Sequence, residues 1–127
     1  MATDLTSPAD VHRFWFGALD AHGVADPAHR RRWFLQDDAF DQEIRERFEA
    51  TLLAARDDLL KDWLEDRSGW LPYLILCDQF PRNLYRGSGE AFAWDERARA
   101  AARHGLEQGW HRHLGIDEQA FAYLPFE

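Results

Sequence analysis

The stretch that decides the fold is residues 70–95, WLPYLILCDQFPRNLYRGSGEAFAWD, in which an apolar run leads directly into a cluster of polar side chains. The apolar residues of this run occupy every face of a helix rather than a single stripe. Such a pattern predicts a helix that is buried on all sides. We therefore expect a central helix, with the other elements packed around it.

Two prolines set the expected limits of this central helix. Because proline is tolerated only in the first turn of a helix, Pro72 predicts a start near Trp70 or Leu71. Pro81 disfavours helical geometry in the residue before it. The helix is therefore expected to end by Phe80 and to be followed by a loop.

Capping and periodicity patterns predict further helices on both sides of the central one. Proline follows a capping residue at Ser7 and again at Asp26, which is typical of helix starts. Apolar residues recur every three or four positions across residues 40–55, as in an amphipathic helix. Asp95 is the predicted cap of a helix that ends at Gly109. Since no strand pattern bounded by hairpin turns occurs, the predicted fold is all-α, with about six to seven helices around the central one.

Length, charge and cysteine content limit the domain organisation and the partners. The 127 residues are expected to form a single helical domain, residues 1–127. A formal charge of −8 disfavours binding to nucleic acid or to anionic lipid, and the apolar run is shorter than the about 20 residues that span a bilayer. Residues 1–12 lack the apolar stretch of a secretory signal, and Cys77 is the only cysteine. We therefore predict a cytoplasmic protein with no nucleic-acid or membrane partner.

The polar residues that follow the apolar run form the candidate site. They are Asp78, Gln79, Arg82, Asn83, Tyr85, Arg86 and, farther along the chain, Asp95. One interpretation is structural, because Asp78 and Arg82 are four residues apart and can pair if the turn stays helical. Arg86 can then cap carbonyl groups, and Asp95 is a further partner for a charge at the margin of the core.

The other interpretation of this polar cluster is functional. Arg82 and Arg86 then form a fork for a carboxylate or a phosphate, with hydrogen bonds from Asn83 and Gln79 and a wall from Tyr85. Asp78 is the one plausible general base. Burial raises the pKa of such a carboxyl and a neighbouring arginine lowers it, so the sequence leaves the direction of the shift open.

The histidines do not form a recognised metal motif. His104, His111 and His113 lie within ten positions, near Glu107, but a His-x-His pair faces one way only on an extended segment. The sequence also lacks a phosphate-binding glycine loop with its lysine and preceding strand. We therefore predict no metal site and no cofactor.

Several strings in the chain resemble one bacterial family. DQFPRNLYRG and AFAWD, together with LPFE at residues 124–127, resemble the hallmark of the family labelled domain of unknown function nine hundred and twenty-four. The resemblance implies a tetratricopeptide-like helical fold and no assigned reaction. It also implies that relatives continue after LPFE with helices that this sequence lacks. Leu124 and Phe126 would then lie on an apolar surface, which predicts self-association there.

Two classes of function follow from these patterns. The first is a non-catalytic module that binds a protein or peptide. We favour it because the sequence shows no nucleophile–base pair. It predicts an apolar groove lined by residues such as Trp33, Trp94 or Trp110. The alternative is a small-molecule binder for an anionic ligand, or a hydrolase-like enzyme, that uses the polar cluster. It predicts a concave pocket and a carboxylate with a perturbed pKa.

Overall fold

The computed structural model describes residues 5–127, and this part of the chain contains helices and no strand. The α-helices are α1 (Pro8–Phe16), α2 (Pro27–Phe34), α3 (Asp38–Arg56), α4 (Arg67–Leu74), α5 (Phe80–Leu84), α6 (Asp95–Gln108) and α7 (Ile116–Tyr123). Short 3-10 turns lie at Lys61–Leu64, Gly89–Phe92, Trp110–His113 and Leu124–Phe126. The all-α prediction is therefore confirmed. The tetratricopeptide-like arrangement and the single domain stay predictions.

Residues 1–4 belong to the stretch that was interpreted as lacking a secretory signal, and they lie outside the described residues. No helix in residues 5–127 combines the length and the apolar character needed to cross a bilayer.

α4, a π turn at Ile75–Gln79 and α5 form one continuous helical segment. At the end of the π turn, the amide of Phe80 donates to the carbonyl of Ile75, five residues back. In a regular α-helix the ring of Pro81 clashes with the carbonyl four residues back, and a wide turn relieves that conflict. The predicted end by Phe80 and the loop after it are therefore wrong, because the helix continues to Leu84.

The predicted start of this segment is also wrong. α4 begins at Arg67, where the side chain of Asp66 accepts a hydrogen bond from the amide of Ser68. Pro72 therefore lies beyond the first turn, inside the helix. The capping carboxylate of Asp66 determines this start, ahead of Trp70, more strongly than the proline does.

This central segment supplies the middle of the hydrophobic core. Leu76 and Phe80 have no exposed surface, and neither does Phe48 on the apolar face of α3. The ring of Phe80 lies 5.0 Å from that of Phe48 and 6.1 Å from that of Phe14 in α1. Each such side chain contributes roughly 1.5 to 3 kcal/mol through burial. The predicted amphipathic helix and the buried central helix are both confirmed.

α6 ends where the sequence predicted but begins differently. Gly109, with a φ of 78°, follows its last turn. Asp95 is the first helical residue rather than the cap, since the N-cap is Trp94 and makes no side-chain capping bond. The carboxylate of Asp95 instead accepts a hydrogen bond from Arg82. This contact ties the start of α6 to the central segment.

Candidate functional site

The polar cluster lies where the central segment reaches the surface, and its residues form two separate hydrogen-bond networks. In the first network Asp78 is 2% exposed. Its Oδ1 accepts from Nη2 of Arg82 at 3.3 Å, and its Oδ2 accepts from Nε2 of Gln79 at 2.7 Å. Nε of Arg82 donates to the Asp78 carbonyl at 3.0 Å, and its Nη2 donates to Asp95 at 3.4 Å. Arg82 thus joins two carboxylates.

The pKa of Asp78 is raised above its ordinary value. Burial is the main cause, and it outweighs the opposite effect of the Arg82 guanidinium and of the hydrogen bond from Gln79. The carboxylate of Asp95 acts in the same direction as burial. The structure therefore settles the direction that the sequence left open, and it supplies the perturbed carboxylate that the small-molecule alternative predicts.

The second network is built on Asp41 of α3. Nδ2 of Asn83 donates to Oδ1 of Asp41 at 2.8 Å, and Nε of Arg86 donates to Oδ2 at 2.7 Å. Nη2 of Arg86 completes a two-point contact at 3.3 Å. Asn83 is buried in this arrangement, and its hydrogen bond links the central segment to α3. Tyr85 packs against the hydrophobic core.

Two cavities border the cluster, and Arg82 lines both. The arginine cavity, of about 630 Å³, is lined by Gln36, Arg82, Arg86, Gly87, Ser88, Gly89, Ala91 and Phe92. The aromatic cavity, of about 310 Å³, is lined by Trp33, Phe34, Asp78, Gln79, Arg82, Phe121, Leu124 and Glu127. Both volumes fall in or near the usual range of small-molecule sites, about 300 to 1,000 Å³. The structure thus divides the predicted site, and Asn83, Tyr85 and Asp95 line neither cavity.

The two arginines of the arginine cavity are each oriented by carboxylates and keep free donors. A guanidinium has five N–H groups, and in residues 5–127 the Nη1 atoms of Arg82 and Arg86 donate to no protein group. The Arg82 guanidinium also lies 5.6 Å from the centre of the Phe92 ring. At Gly87 and Gly89 no described atom beyond the neighbouring residues lies within 4 Å of the place that a Cβ would take, so there is open space beside this loop. Contacts from a carboxylate or phosphate to these Nη1 groups would leave the existing ion pairs intact.

The tryptophans expected to line a peptide groove lie apart. Trp94 is 7% exposed and belongs to the core. The ring of Trp33 packs at 4.9 Å from that of Phe121, whereas the ring of Trp110 packs at 6.1 Å from that of Trp70. Of the three, Trp33 lines the aromatic cavity, and Trp94 and Trp110 line neither of the two cavities.

Metal-ligating side chains do not converge in the described part of the chain. Within residues 5–127, no three side chains of His, Cys, Asp or Glu are arranged to hold one ion. His104 instead lies with Nε2 3.1 Å from the carbonyl of Leu64, and its ring contacts that of Trp110.

Comparison with known proteins gives a family but no activity. A family model described as "Bacterial protein of unknown function (DUF924)" matches residues 11–127. A solved structure of a protein of unknown function from Agrobacterium tumefaciens is 34% identical and superposes with a TM-score of 0.82. The match covers 94% of this chain and 62% of that protein, so this chain spans less than two thirds of its length. No curated protein matches the chain.

Proposed function

The chain belongs to the bacterial protein family of unknown function DUF924, as its motifs predicted, and from that premise we propose that it binds a small anionic molecule in the arginine cavity. The ligand class is a carboxylate or a phosphate. One observation carries this proposal: Arg82 and Arg86 line the same cavity, and neither Nη1 group has an acceptor among the described residues.

The existing ion pairs support this proposal instead of competing with it. Asp41 contacts Arg86 through Nε and Nη2, and this fixes the plane of the guanidinium. For Arg82, Nη2 donates to the carboxylates of Asp78 and Asp95, and Nε donates to the backbone carbonyl of Asp78. An arginine held in this way loses little side-chain entropy when it binds a ligand. The carboxylates also offset the positive charge of the two guanidiniums, so the proposed recognition depends on directed hydrogen bonds from the N–H groups rather than on net charge.

The proposal assigns ligand binding, and not hydrolysis, to the cluster. Asp78 lines the aromatic cavity and not the arginine cavity, and both of its oxygens already accept hydrogen bonds. A general base in an anion-binding site has to reach the proton that it abstracts. Asp78 therefore serves to position Arg82.

Calorimetric titration of inorganic phosphate and of succinate into the wild-type protein tests this proposal. Loss of a hydrogen bond to a charged group costs about 1.5 to 3 kcal/mol, so Arg86→Gln should weaken binding about tenfold or more. Arg56→Gln is the matched control, because the Arg56 side chain is 60% exposed and pairs with its neighbour Asp57. Equal weakening in the two variants would indicate unspecific attraction to surface charge and would contradict the proposal.

A second candidate is association with a protein partner or with a second copy of the chain. The observation that favours it is the exposure of large apolar side chains, with Phe126 at 42% and Tyr123 at 43%. Exposed apolar patches often mark interaction surfaces. Sedimentation velocity over a range of concentrations is the test, and Phe126→Ser should shift the protein toward monomer. A wild-type protein that is monomeric at every concentration would refute self-association.

A cytoplasmic location completes the proposal. Its support is that Cys77, the single cysteine of the sequence, is fully buried and forms no disulfide within the chain.

A further inference from the structure

The aromatic cavity differs in chemistry from the arginine cavity. Three aromatic rings line it, those of Trp33, Phe34 and Phe121. The Trp33 ring stands at 75° to that of Phe34 and at 78° to that of Phe121, with centroids 6.2 and 4.9 Å away. Nε1 of Trp33 donates to the carbonyl of Trp15 at 3.0 Å, which anchors the indole. The electron-rich faces of aromatic rings attract organic cations.

The charges around this cavity also favour a cation. Asp78 and Glu127 bring two carboxylates to the lining, where Arg82 is the one cation among the lining residues. Arg82 is neutralised by Asp78 and also pairs with Asp95. With every group ionised, the three charged lining residues sum to −1, and Asp95 adds a further carboxylate in contact with Arg82, in a protein whose formal charge is −8. A positively charged ligand is therefore attracted to this face.

The hydrogen bonds that Asp78 already accepts indicate which kind of cation fits the aromatic cavity. Both of its oxygens are already occupied, by Gln79 and Arg82, so it offers charge without a free acceptor. A primary ammonium needs acceptors for its three N–H groups, whereas a quaternary ammonium needs none and contacts ring faces directly. We infer that the aromatic cavity is a second binding site, which takes the quaternary ammonium group of a small organic molecule.

This site goes beyond the anion site proposed above and is independent of it. The two cavities share Arg82 and no other lining residue. Arg86, on which the anion site depends, does not line the aromatic cavity. Binding at one cavity can therefore fail while binding at the other persists.

Choline and its neutral isostere 3,3-dimethylbutan-1-ol test the inference, because they differ mainly in charge. Each is titrated into the wild-type protein and followed by calorimetry and tryptophan fluorescence. We expect choline to bind about tenfold or more tightly than the alcohol, since both the rings and the carboxylates act on the charge. Equal binding of the two would show a merely apolar cavity, and no binding of choline would also overturn the inference.

Phe34 provides the decisive variant, because its side chain is 76% exposed and can be changed with little effect on folding. Phe34→Leu keeps an apolar side chain but removes the ring, and should weaken choline about two- to fivefold. Phe34→Trp should retain or strengthen binding. Leu59→Ala is the control for an exposed apolar residue elsewhere. If Phe34→Leu binds choline as wild type does, the inference is wrong.

Arg86→Gln separates the two sites. It should leave the choline affinity within error of wild type while phosphate binding weakens about tenfold or more. A parallel loss of choline binding in Arg86→Gln would show that the cavities are not independent, and would contradict the assignment of the cation to the aromatic cavity.

Discussion

Replacing Arg82 by glutamine should destabilise the protein mainly by leaving the buried carboxylate of Asp78 without its cation. Breaking a fully buried ion pair from one side costs about 3 to 5 kcal/mol. The Asp78 side chain is 3% exposed but that of Arg82 is 40% exposed, so water screens part of this interaction. We therefore expect Arg82→Gln to lower the free energy of unfolding by about 2 to 3 kcal/mol at pH 7.

A double-mutant cycle with Asp78→Asn isolates the interaction energy between Arg82 and the charge of Asp78. In the Asn background residue 78 carries no charge, and Arg82→Gln then removes the hydrogen bond to the residue 78 carbonyl and the ion pair with Asp95. Its cost should then be about 1 kcal/mol, which leaves a coupling of about 1 to 2 kcal/mol. Urea unfolding at pH 7, followed by circular dichroism, measures all four proteins.

The same experiment repeated at lower pH tests the electrostatic cause. Arg82 lowers the pKa of Asp78, so its removal raises a pKa that burial already raises. A native state with the higher pKa is stabilised by protonation as the pH falls through that value, so the cost of Arg82→Gln should shrink. A cost that is equal in both backgrounds and constant with pH would refute the reasoning.

Three further predictions concern other parts of the fold. A Gly→Ala change usually stabilises a helix by about 1 kcal/mol. Gly105→Ala should here destabilise the protein by about 1 to 3 kcal/mol in urea unfolding, because the added Cβ would overlap the Trp70 ring. Cys77 is buried and burial raises the pKa of its thiol to about 12, so it should react with Ellman's reagent at pH 8 only after guanidinium is added. A hydrogen bond from His12 lowers the pKa of Glu118, so the stability that Glu118→Gln removes at pH 7 should vanish as the pH falls through that lowered pKa. Comparing urea midpoints of wild type and Glu118→Gln at neutral and acidic pH checks this.

Local patterns predicted most of the helices. The cap at Ser7 with Pro8, the stop at Gly109 and the apolar face of α3 act within one or two turns, and each appears as predicted. The predicted central helix was shorter than the observed segment at both ends. The expectation that proline ends a helix applies to regular α-helices. A π turn widens the backbone before Pro81, so the helix continues through Phe80 and Pro81.

The candidate site was only partly predictable from the sequence, because some of the side chains that pair with the cluster or line its cavities come from distant parts of the chain. Asp41, which holds Arg86, is 45 residues away in sequence. Phe34 and Phe121 meet Asp78 around the aromatic cavity only through folding. A sequence shows that polar residues are neighbours along the chain, but tertiary packing decides which carboxylate pairs with which arginine. No local sequence pattern therefore predicted that the site would be divided into two cavities.

The central claim is that Arg82 and Arg86 bind an anion in the arginine cavity, and ¹⁵N–¹H correlation spectra recorded during a phosphate titration test it most directly. We predict saturable shifts at the amides of Gly87, Ser88 and Gly89 and at Nε of Arg86, which lines the same cavity. Nε of Arg97, which pairs with Asp58 in another part of the fold, should not move. Shifts of equal size at Arg97, or none in the Gly87–Gly89 loop, would contradict the account.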